Sequence, residues 1–452
     1  MEKINKAPVG AIRILKIINS KGYEAYLVGG CVRDILMGRN PKDWDITTSA
    51  TPKELNLILS EYKIVETGIK HGTITVLDKG ESYEVTTFRI DGKYTDKRRP
   101  DSVKFTVSLA EDLKRRDFTV NAIAMDAYGN IIDENGGQKD IKNKIIRCVG
   151  EPEDRFNEDA LRILRAIRFQ SELGFHANKE TEKAIIKLKD LLLKISIERV
   201  RNEFEKILIG KDARRVLMAY KEVIAVFIPE IRESFDFDQC NPYHIYDVYE
   251  HIINAVSLID NNKKYRMAAF LHDLAKPQCF VMDKGWGHFY HHETKGSEVA
   301  EEILKRLKYD NESLADISFV IKAHGTVFSP TEKYAKHKLN HFGEKRLRML
   351  IELEKADVKS QNPEIVDERL ANIENFEKKV DKVIEENSCF SLKDLNINGN
   401  ILFEIGYEKG PALGEELERL LELVIENKLE NDEDVLIKKA EEDLEVRLAV
   451  KS

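Results

Sequence analysis

At 452 residues the chain is long enough for about three or four domains. Charged residues make up 34% and hydrophobic residues 42%, and no apolar run is long enough to span a bilayer, which argues against a helical membrane protein. The net charge of −8 counts only weakly against a nucleic-acid partner, because a phosphate backbone meets a local basic stripe rather than an average.

The N-terminal Met-Glu-Lys-Ile-Asn-Lys lacks the apolar core of a secretory signal. Cys31, Cys148, Cys240, Cys279 and Cys389 are scattered without Cys-x-x-Cys spacing. That pattern predicts reduced thiols in a cytoplasm and argues against structural zinc.

Residues 1–150 are the only stretch rich in strand signals and predict a mixed α/β domain. Tyr23-Glu-Ala-Tyr-Leu-Val28 reads as a strand and Val32-Arg-Asp-Ile-Leu-Met37 as the start of a helix. Gly29 and Gly30 then lie at a strand-to-helix turn, where free backbone N–H groups can hold phosphate. Asp43 and Asp45 follow. In an extended strand, side chains at i and i+2 share a face, so both carboxylates can converge on one hard cation. A triphosphate at the turn and a metal close by are the equipment of nucleotidyl transfer. Alone, an Asp-x-Asp is more often a surface pair and a Gly-Gly simply a turn.

Further strands are expected at Gly72–Leu77, Tyr83–Arg89 and Asn130–Asp133, and the polar, basic segment Asp91–Asp101 reads as a mobile loop. Lys114-Arg-Arg-Asp-Phe-Thr-Val-Asn-Ala122 brings cationic donors for phosphate and polar groups for a ribose, although Asp117 could equally cap a helix.

From Glu151 onward the spacing of apolar residues predicts helix almost throughout. Asp159, Arg162, Arg165 and Arg168 fall three apart and are expected along one helical row. An Asp beside an Arg can accept from the exocyclic amine of cytosine or adenine while donating to the ring nitrogen. It would repel uracil and guanine, which carry a carbonyl there. The plain alternative is a surface salt bridge.

Residues 236–375 hold nine of the eleven histidines. His251, His272, Asp273, His292, His324 and Asp357 are expected on helices, where imidazoles and carboxylates from several elements suit one or two divalent metals. His244, His288 and His291 are expected around that set or on the surface. The tail, residues 376–452, reads as charged helix broken at Gly406–Gly414. That break could offer backbone N–H groups to RNA phosphate or serve as a plain corner.

Four segments, Leu27-Val-Gly-Gly-Cys-Val-Arg-Asp34, Lys42-Asp-Trp-Asp-Ile46, Arg115-Arg-Asp-Phe-Thr-Val-Asn-Ala122 and Glu158-Asp-Ala-Leu-Arg162, occur in this order. They closely resemble the successive motifs of class II tRNA nucleotidyltransferases, the CCA-adding enzymes, and of related bacterial poly(A) polymerases. Ile195-Ser-Ile-Glu-Arg-Val-Arg-Asn-Glu-Phe204 looks like the family's helix-stabilising motif.

The resemblance implies an α+β multidomain protein. Its parts would be a nucleotidyltransferase head at 1–150, a helical base-reading neck at 151–235, an HD-type helical domain at 236–375 and a helical tRNA-binding tail at 376–452. It implies that Asp43 and Asp45 bind catalytic Mg²⁺ and that Gly30 and Arg33 contact nucleotide phosphates. Arg116 would meet the ribose and phosphate side, and Asp159 and Arg162 would read the base with Arg165 and Arg168 as cationic support. Glu84 is either a third carboxylate or a strand-face salt-bridge partner. The order of histidines resembles the HD phosphohydrolase superfamily, whose metal set here would be His251, His272, Asp273 and Asp357, holding a second divalent metal.

The reaction implied is template-independent addition or repair of the tRNA 3′-terminal CCA with CTP and ATP. Alternatives within the same chemistry are CC-only addition, A-only addition and poly(A) synthesis. The full-length Asp91–Asp101 segment argues against CC-only addition, and the acidic C-terminal end argues against poly(A) polymerase. A different class would be an RNA-binding HD-type phosphohydrolase with a decayed head.

Overall fold

A computed structural model describes residues 7–69, 72–92 and 102–451. The chain divides into two compact units, Met1–Arg232 and Glu233–Ser452.

The first unit is built on a seven-stranded sheet. Its early strands are β1 (Ala25–Val28), β2 (Asp45–Thr48), β3 (Lys63–Gly68), β4 (Thr73–Asp78) and β5 (Glu81–Thr87). A separate hairpin, β6 (Arg89–Asp91) and β7 (Val103–Phe105), follows, and β8 (Ala124–Met125) and β9 (Ile131–Ile132) complete the sheet. The order is β3-β4-β5-β2-β1-β8-β9, with β2 and β5 parallel and the other neighbours antiparallel. Ile14, Leu15 and Ile18 of the helix Val9–Ser20 share a core with Leu27, Ile46, Ile74, Val76 and Val85 of the strands. Alternation along β5, with Tyr83 and Val85 buried between Ser82, Glu84 and the half-buried Thr86, fixes which face carries polar groups. The expected strands are therefore present. The segment expected as a loop at Asp91–Asp101 leaves β6 and lies, from residue 93 to residue 101, outside the described residues.

Helices Pro152–Glu158, Leu161–Leu173, Lys179–Leu188 and Ile197–Leu208 complete this unit's second half. Pro152 sits at the start of its helix, where its missing N–H costs nothing. Asp159 then takes extended dihedrals (φ −132°, ψ 104°), which breaks the chain before Leu161. Leu161–Leu173 ends at a left-handed Gly174 and is buried on most of its surface, Arg162 and Arg168 included, packing against Ile197–Leu208.

The second unit is mainly helical, as expected, with one hairpin, Phe280–Asp283 with Trp286–Phe289, that the helical spacing did not foretell. Helices Val248–Leu258, Lys263–Leu271, His292–Arg306, Asn311–Ala323 and Glu332–Lys359 surround its histidine-rich centre, the last broken at Gly343. Towards the C-terminus, Leu402, Tyr407, Leu420, Ile425 and Leu436 close a smaller core. The break in the tail is narrower than expected, because the helix Pro411–Ile425 already contains Gly414.

Candidate active site

The turn after β1 depends on one glycine. Gly29 has φ of 81°, the left-handed region that side chains avoid, and it swings the chain from strand into the helix Gly30–Leu36. A Cβ there would lie 3.3 Å from an Arg116 nitrogen and 3.8 Å from the Asp45 carboxylate, so glycine keeps the floor clear. The turn offers fewer amides than the sequence suggested, since the Gly29 N–H donates to the Ile123 carbonyl at 3.2 Å. Within the helix, the Arg33 guanidinium donates to Asn121 Oδ1 at 2.8 Å and to Asp34 at 2.9 Å.

Asp45 opens β2 in register with Glu84 of β5. Asp43 lies in the bend before β2 rather than in the strand, so the two aspartates do not share a strand face by simple alternation. They reach the same cavity nonetheless. Burial pushes the Asp45 carboxyl above its ordinary range; Arg116 opposes that, and the charges of Glu84 and Asp43 add to it. Crowded carboxylates of this kind are stabilised by a hard cation, and oxygen donors are what Mg²⁺ prefers. The residues present therefore fit a divalent metal.

Arg116 is anchored from beneath. Asp112, fully buried, accepts from Arg116 at 3.2 Å, from Arg115 Nε at 2.8 Å and from the Thr47 hydroxyl at 3.2 Å. Burial raises its pKa, and the two guanidinium charges more than reverse that. Asp117 does not cap a helix. Its Oδ2 accepts from Arg165 Nε at 2.9 Å, and its Oδ1 accepts from the Phe118 N–H and from Asn121. Burial opposes its ionisation, yet the Arg165 charge and hydrogen bonds bring its pKa down to about 2.

One cavity of about 640 Å³ brings together Gly30, Arg33, Asp43, Asp45, Arg116, Arg165 and Arg168. Asp159 and Arg162 are not among its lining residues. The expected single helical row is also not formed, because Asp159 precedes the helix that carries the three arginines. Asp159 Oδ1 accepts from the Leu161 N–H, and Oδ2 pairs with Arg199 at 3.2 Å. Arg162 donates to Glu158 at 2.6 Å and to the Arg115 carbonyl at 3.2 Å. Sequence reasoning missed Asp112, Arg199 and Phe169 in this site. Asp112 carried a local signal, three and four residues before Arg115 and Arg116, as did Phe169, four residues after Arg165; Arg199 lay within a segment already singled out but gave no sign of its partner.

The second unit gathers a separate cluster. His251 Nε2 is 3.1 Å from Asp273 Oδ2 and 2.9 Å from Asp357 Oδ1, and His272 Nε2 is 3.2 Å from Asp273 Oδ2. Ligand atoms of His251, His272, Asp273 and Asp357 all lie within 4.8 Å of one another; Asp273 with His292 and His324 forms a second such group. His272 and His292 point Nδ1 at the carbonyls of Ala269 and Phe289, at 2.8 and 2.7 Å, and His324 does the same toward Ile321. Fixing Nδ1 in this way turns Nε2 toward the centre of the cluster, where those of His292 and His324 lie 3.1 Å apart. His251 Nε2, His272 Nε2 and Asp273 Oδ2 are buried and face one another at close range, a donor set of imidazoles and carboxylates that suits a divalent metal.

His272, Asp273 and His324 lie just past helix ends rather than on helices as expected. Lys276 Nζ reaches Asp273 Oδ2 at 2.7 Å. His244 packs edge-on against His251 at 5.0 Å, and burial with nearby positive charge lowers its pKa to about 2. His288 lines a second cavity, of about 490 Å³, beside Asp273, His292, His324 and Asp357, and His291 precedes the helix that begins at His292.

Comparison with known proteins agrees with these motifs. Residues 25–147 match the family described as Poly A polymerase head domain, and residues 282–440 match tRNA nucleotidyltransferase domain 2. The CCA-adding enzyme of Lactobacillus helveticus is 35% identical over 455 residues, spanning 98% of this chain and all of that protein. The CCA-adding enzyme of Geobacillus stearothermophilus is 55% identical over 207 residues, 46% of this chain and 51% of that protein. Among solved structures, the Bacillus stearothermophilus CCA-adding enzyme in complex with CTP has a TM-score of 0.73 at 32% identity, covering 97% of this chain and 98% of that one. On full-length similarity and on the order and convergence of its motifs, the chain belongs to the CCA-adding enzyme family of tRNA nucleotidyltransferases.

Proposed function

We propose that this enzyme builds or repairs the 3′-terminal CCA of tRNA from CTP and ATP, without a template. The observation that carries the reading is one cavity in which Asp43 and Asp45 face Arg33, Arg116, Arg165 and Arg168. The acids suit a metal and the arginines suit a polyphosphate.

In this reading the RNA 3′-hydroxyl attacks the α-phosphorus of the nucleotide and pyrophosphate leaves. Asp43 and Asp45 would hold Mg²⁺, with Glu84 beside Asp45 as a further carboxylate. When bound, the metal lowers the pKa of the attacking hydroxyl and offsets charge on the leaving group. Gly30 and Arg33 take the phosphates, and Arg116, anchored on Asp112, meets the ribose and phosphate side. Asp159 and Arg162 select the base. Arg199 turns the Asp159 carboxylate, and Glu158 with the backbone carbonyls of Arg155 and Arg115 holds the Arg162 guanidinium.

We assign 1–150 to the catalytic head, 151–235 to the base-reading neck, 236–375 to an HD-type domain and 376–452 to a tRNA-binding tail. No described helix is long and apolar enough to cross a membrane, and all five cysteines are free. Free thiols and a tRNA substrate fit a cytoplasmic enzyme.

The deciding experiment is incubation with tRNA lacking its 3′ end, with CTP alone, ATP alone or both. Addition of two residues with CTP and of a third only with ATP supports the reading. A-only addition, CC-only addition or continued A incorporation would each replace it with the corresponding narrower activity.

The histidine cluster supports a second reading, of metal-dependent phosphoester hydrolysis. The convergence of their ligand atoms within 4.8 Å favours His251, His272, Asp273 and Asp357 as ligands of a divalent metal. Hydrolysis of a 2′,3′-cyclic phosphate or a phosphomonoester, tested across Mg²⁺, Mn²⁺, Co²⁺ and Ni²⁺, decides it; inertness with every metal leaves the cluster a scaffold.

A further inference from the structure

Three arginines around the nucleotide cavity share one aromatic ring. The guanidinium carbons of Arg33, Arg165 and Arg168 stand 5.3, 5.4 and 4.3 Å from the centroid of Phe169. Each distance is within the range at which a ring quadrupole attracts a cation. The ring is nearly buried, lines the cavity, and is braced edge-on by Phe118 at 5.7 Å.

Each guanidinium is also gripped by polar groups of its own. Arg33 has Asp34 and Asn121; Arg165 has Asp117; Arg168 has Glu203 at 3.2 Å and Glu172 at 3.8 Å. The polar partners set where each cation is tethered, and the ring is a wall common to all three.

Cations gathered this closely repel. Burial lowers the Arg168 pKa, and the Arg165 charge lowers it further. A further carboxylate among them would relieve the repulsion but would also compete with an incoming polyanion. An aromatic face attracts cations without neutralising them, so it adds no further negative charge against an incoming polyanion. A leucine would fill much of the space and supply neither the quadrupole nor the flat surface.

We propose that Phe169 is a positioning residue for the nucleotide's triphosphate, its ring spacing and aiming Arg33, Arg165 and Arg168 at the phosphate chain whatever the base. This rests on the reading that those arginines face nucleotide phosphates, and it adds a residue that carries no phosphate-binding group of its own.

The test compares wild type with Phe169→Leu, Phe169→Tyr and Arg33→Ala. Steady-state addition of CTP and of ATP is measured on tRNA acceptors lacking the appropriate 3′ residues, and binding of inorganic tripolyphosphate is measured by calorimetry. Phe169→Leu is expected to raise KM for CTP and ATP alike by about five- to tenfold, with kcat changed by less than about twofold, and to weaken tripolyphosphate by a similar factor. Phe169→Tyr, which keeps the ring, should restore all three. Should the leucine variant melt below the assay temperature, Phe169→Met takes its place with the same expectation.

A wild-type KM in Phe169→Leu overturns the inference, as does a loss confined to one of the two nucleotides, which would make the ring a base contact. Failure of tyrosine to restore binding overturns it too, since packing alone would then explain the effect. If Arg33→Ala weakens tripolyphosphate while Phe169→Leu does not, only this inference falls. If neither variant weakens it, the phosphate-facing reading of the arginines falls as well.

Discussion

Asp45 and Glu84 stand in register on neighbouring parallel strands, and the Glu84 charge helps to raise the Asp45 pKa. The pairing stores repulsion that a divalent cation would relieve. Asp45→Ala or Asp43→Ala should therefore abolish CTP and ATP incorporation together while leaving the melting temperature at or slightly above wild type. Glu84→Gln should retain activity but need more Mg²⁺. Substantial addition of either nucleotide by the purified aspartate variants would remove them from the mechanism.

Base choice rests on a different pair. Replacing Asp159 or Arg162 with Ala should relax selection against UTP and GTP by about 1.5–3 kcal/mol, the worth of one hydrogen bond to a charged group, and slow CTP and ATP. Arg162 is buried against Glu158 and backbone carbonyls, so its variant should also melt lower. Equal slowing of all four nucleotides would assign the pair to the fold.

Asp112 makes the fold and the nucleotide site inseparable. Asp112→Asn keeps the shape but removes the charge beneath Arg115 and Arg116, for a destabilisation of about 3 kcal/mol. Nucleotide KM should rise as well, because Arg116 loses its anchor. Denaturant unfolding tests the first claim and steady-state kinetics the second; an unchanged unfolding midpoint would mean that the buried charge is compensated elsewhere.

Asp117 links stability to acid. Its pKa falls from 3.8 to about 2 on folding, so the native state favours the ionised form. That contribution, about 2 kcal/mol, is fully present above pH 4 and is lost as pH falls through the folded value near 2. Urea unfolding at pH 7 and pH 3 should show Asp117→Asn closing part of the gap between the two. A variant whose stability falls between pH 7 and 3 as steeply as wild type would locate the acid sensitivity in other carboxylates.

The histidine cluster and the catalytic head use disjoint ligands, so His272→Ala with Asp273→Ala should leave CCA addition nearly intact. Removing Asp273 takes away the carboxylate paired with buried Lys276, which keeps Gln239 at 3.0 Å and the Phe289 ring at 5.3 Å but no opposite charge there, so melting should drop by several degrees. Added Mn²⁺, Co²⁺ or Ni²⁺ should raise the melting temperature of wild type but not of the double variant. An identical response from both would place the metal elsewhere.

The order and identity of the motifs were legible in the residues alone, and so were four strands of the head and the helical spacing that follows, whereas β3, β7 and β8 were not. Local periodicity decides which side chains share an element, and three arginines at intervals of three do fall on one helix. Asp159 escaped that rule because its dihedrals leave the helical region two residues before the helix resumes at Leu161. Asp43 likewise sits in a bend, and its approach to Asp45 comes from the path of the chain rather than from strand alternation.

Tertiary structure alone decided the partnerships that cross long sequence distances. Asp117 reaches Arg165 across 48 residues, and Asp159 reaches Arg199 across 40. His251 meets Asp273 and Asp357 only because separate helices and turns pack around one centre. No spacing rule predicts such contacts, since they depend on how buried apolar faces dock and which polar atoms are left facing inward. Composition and motif announced the chemistry; packing chose which acid holds each arginine and which imidazole nitrogen faces the centre.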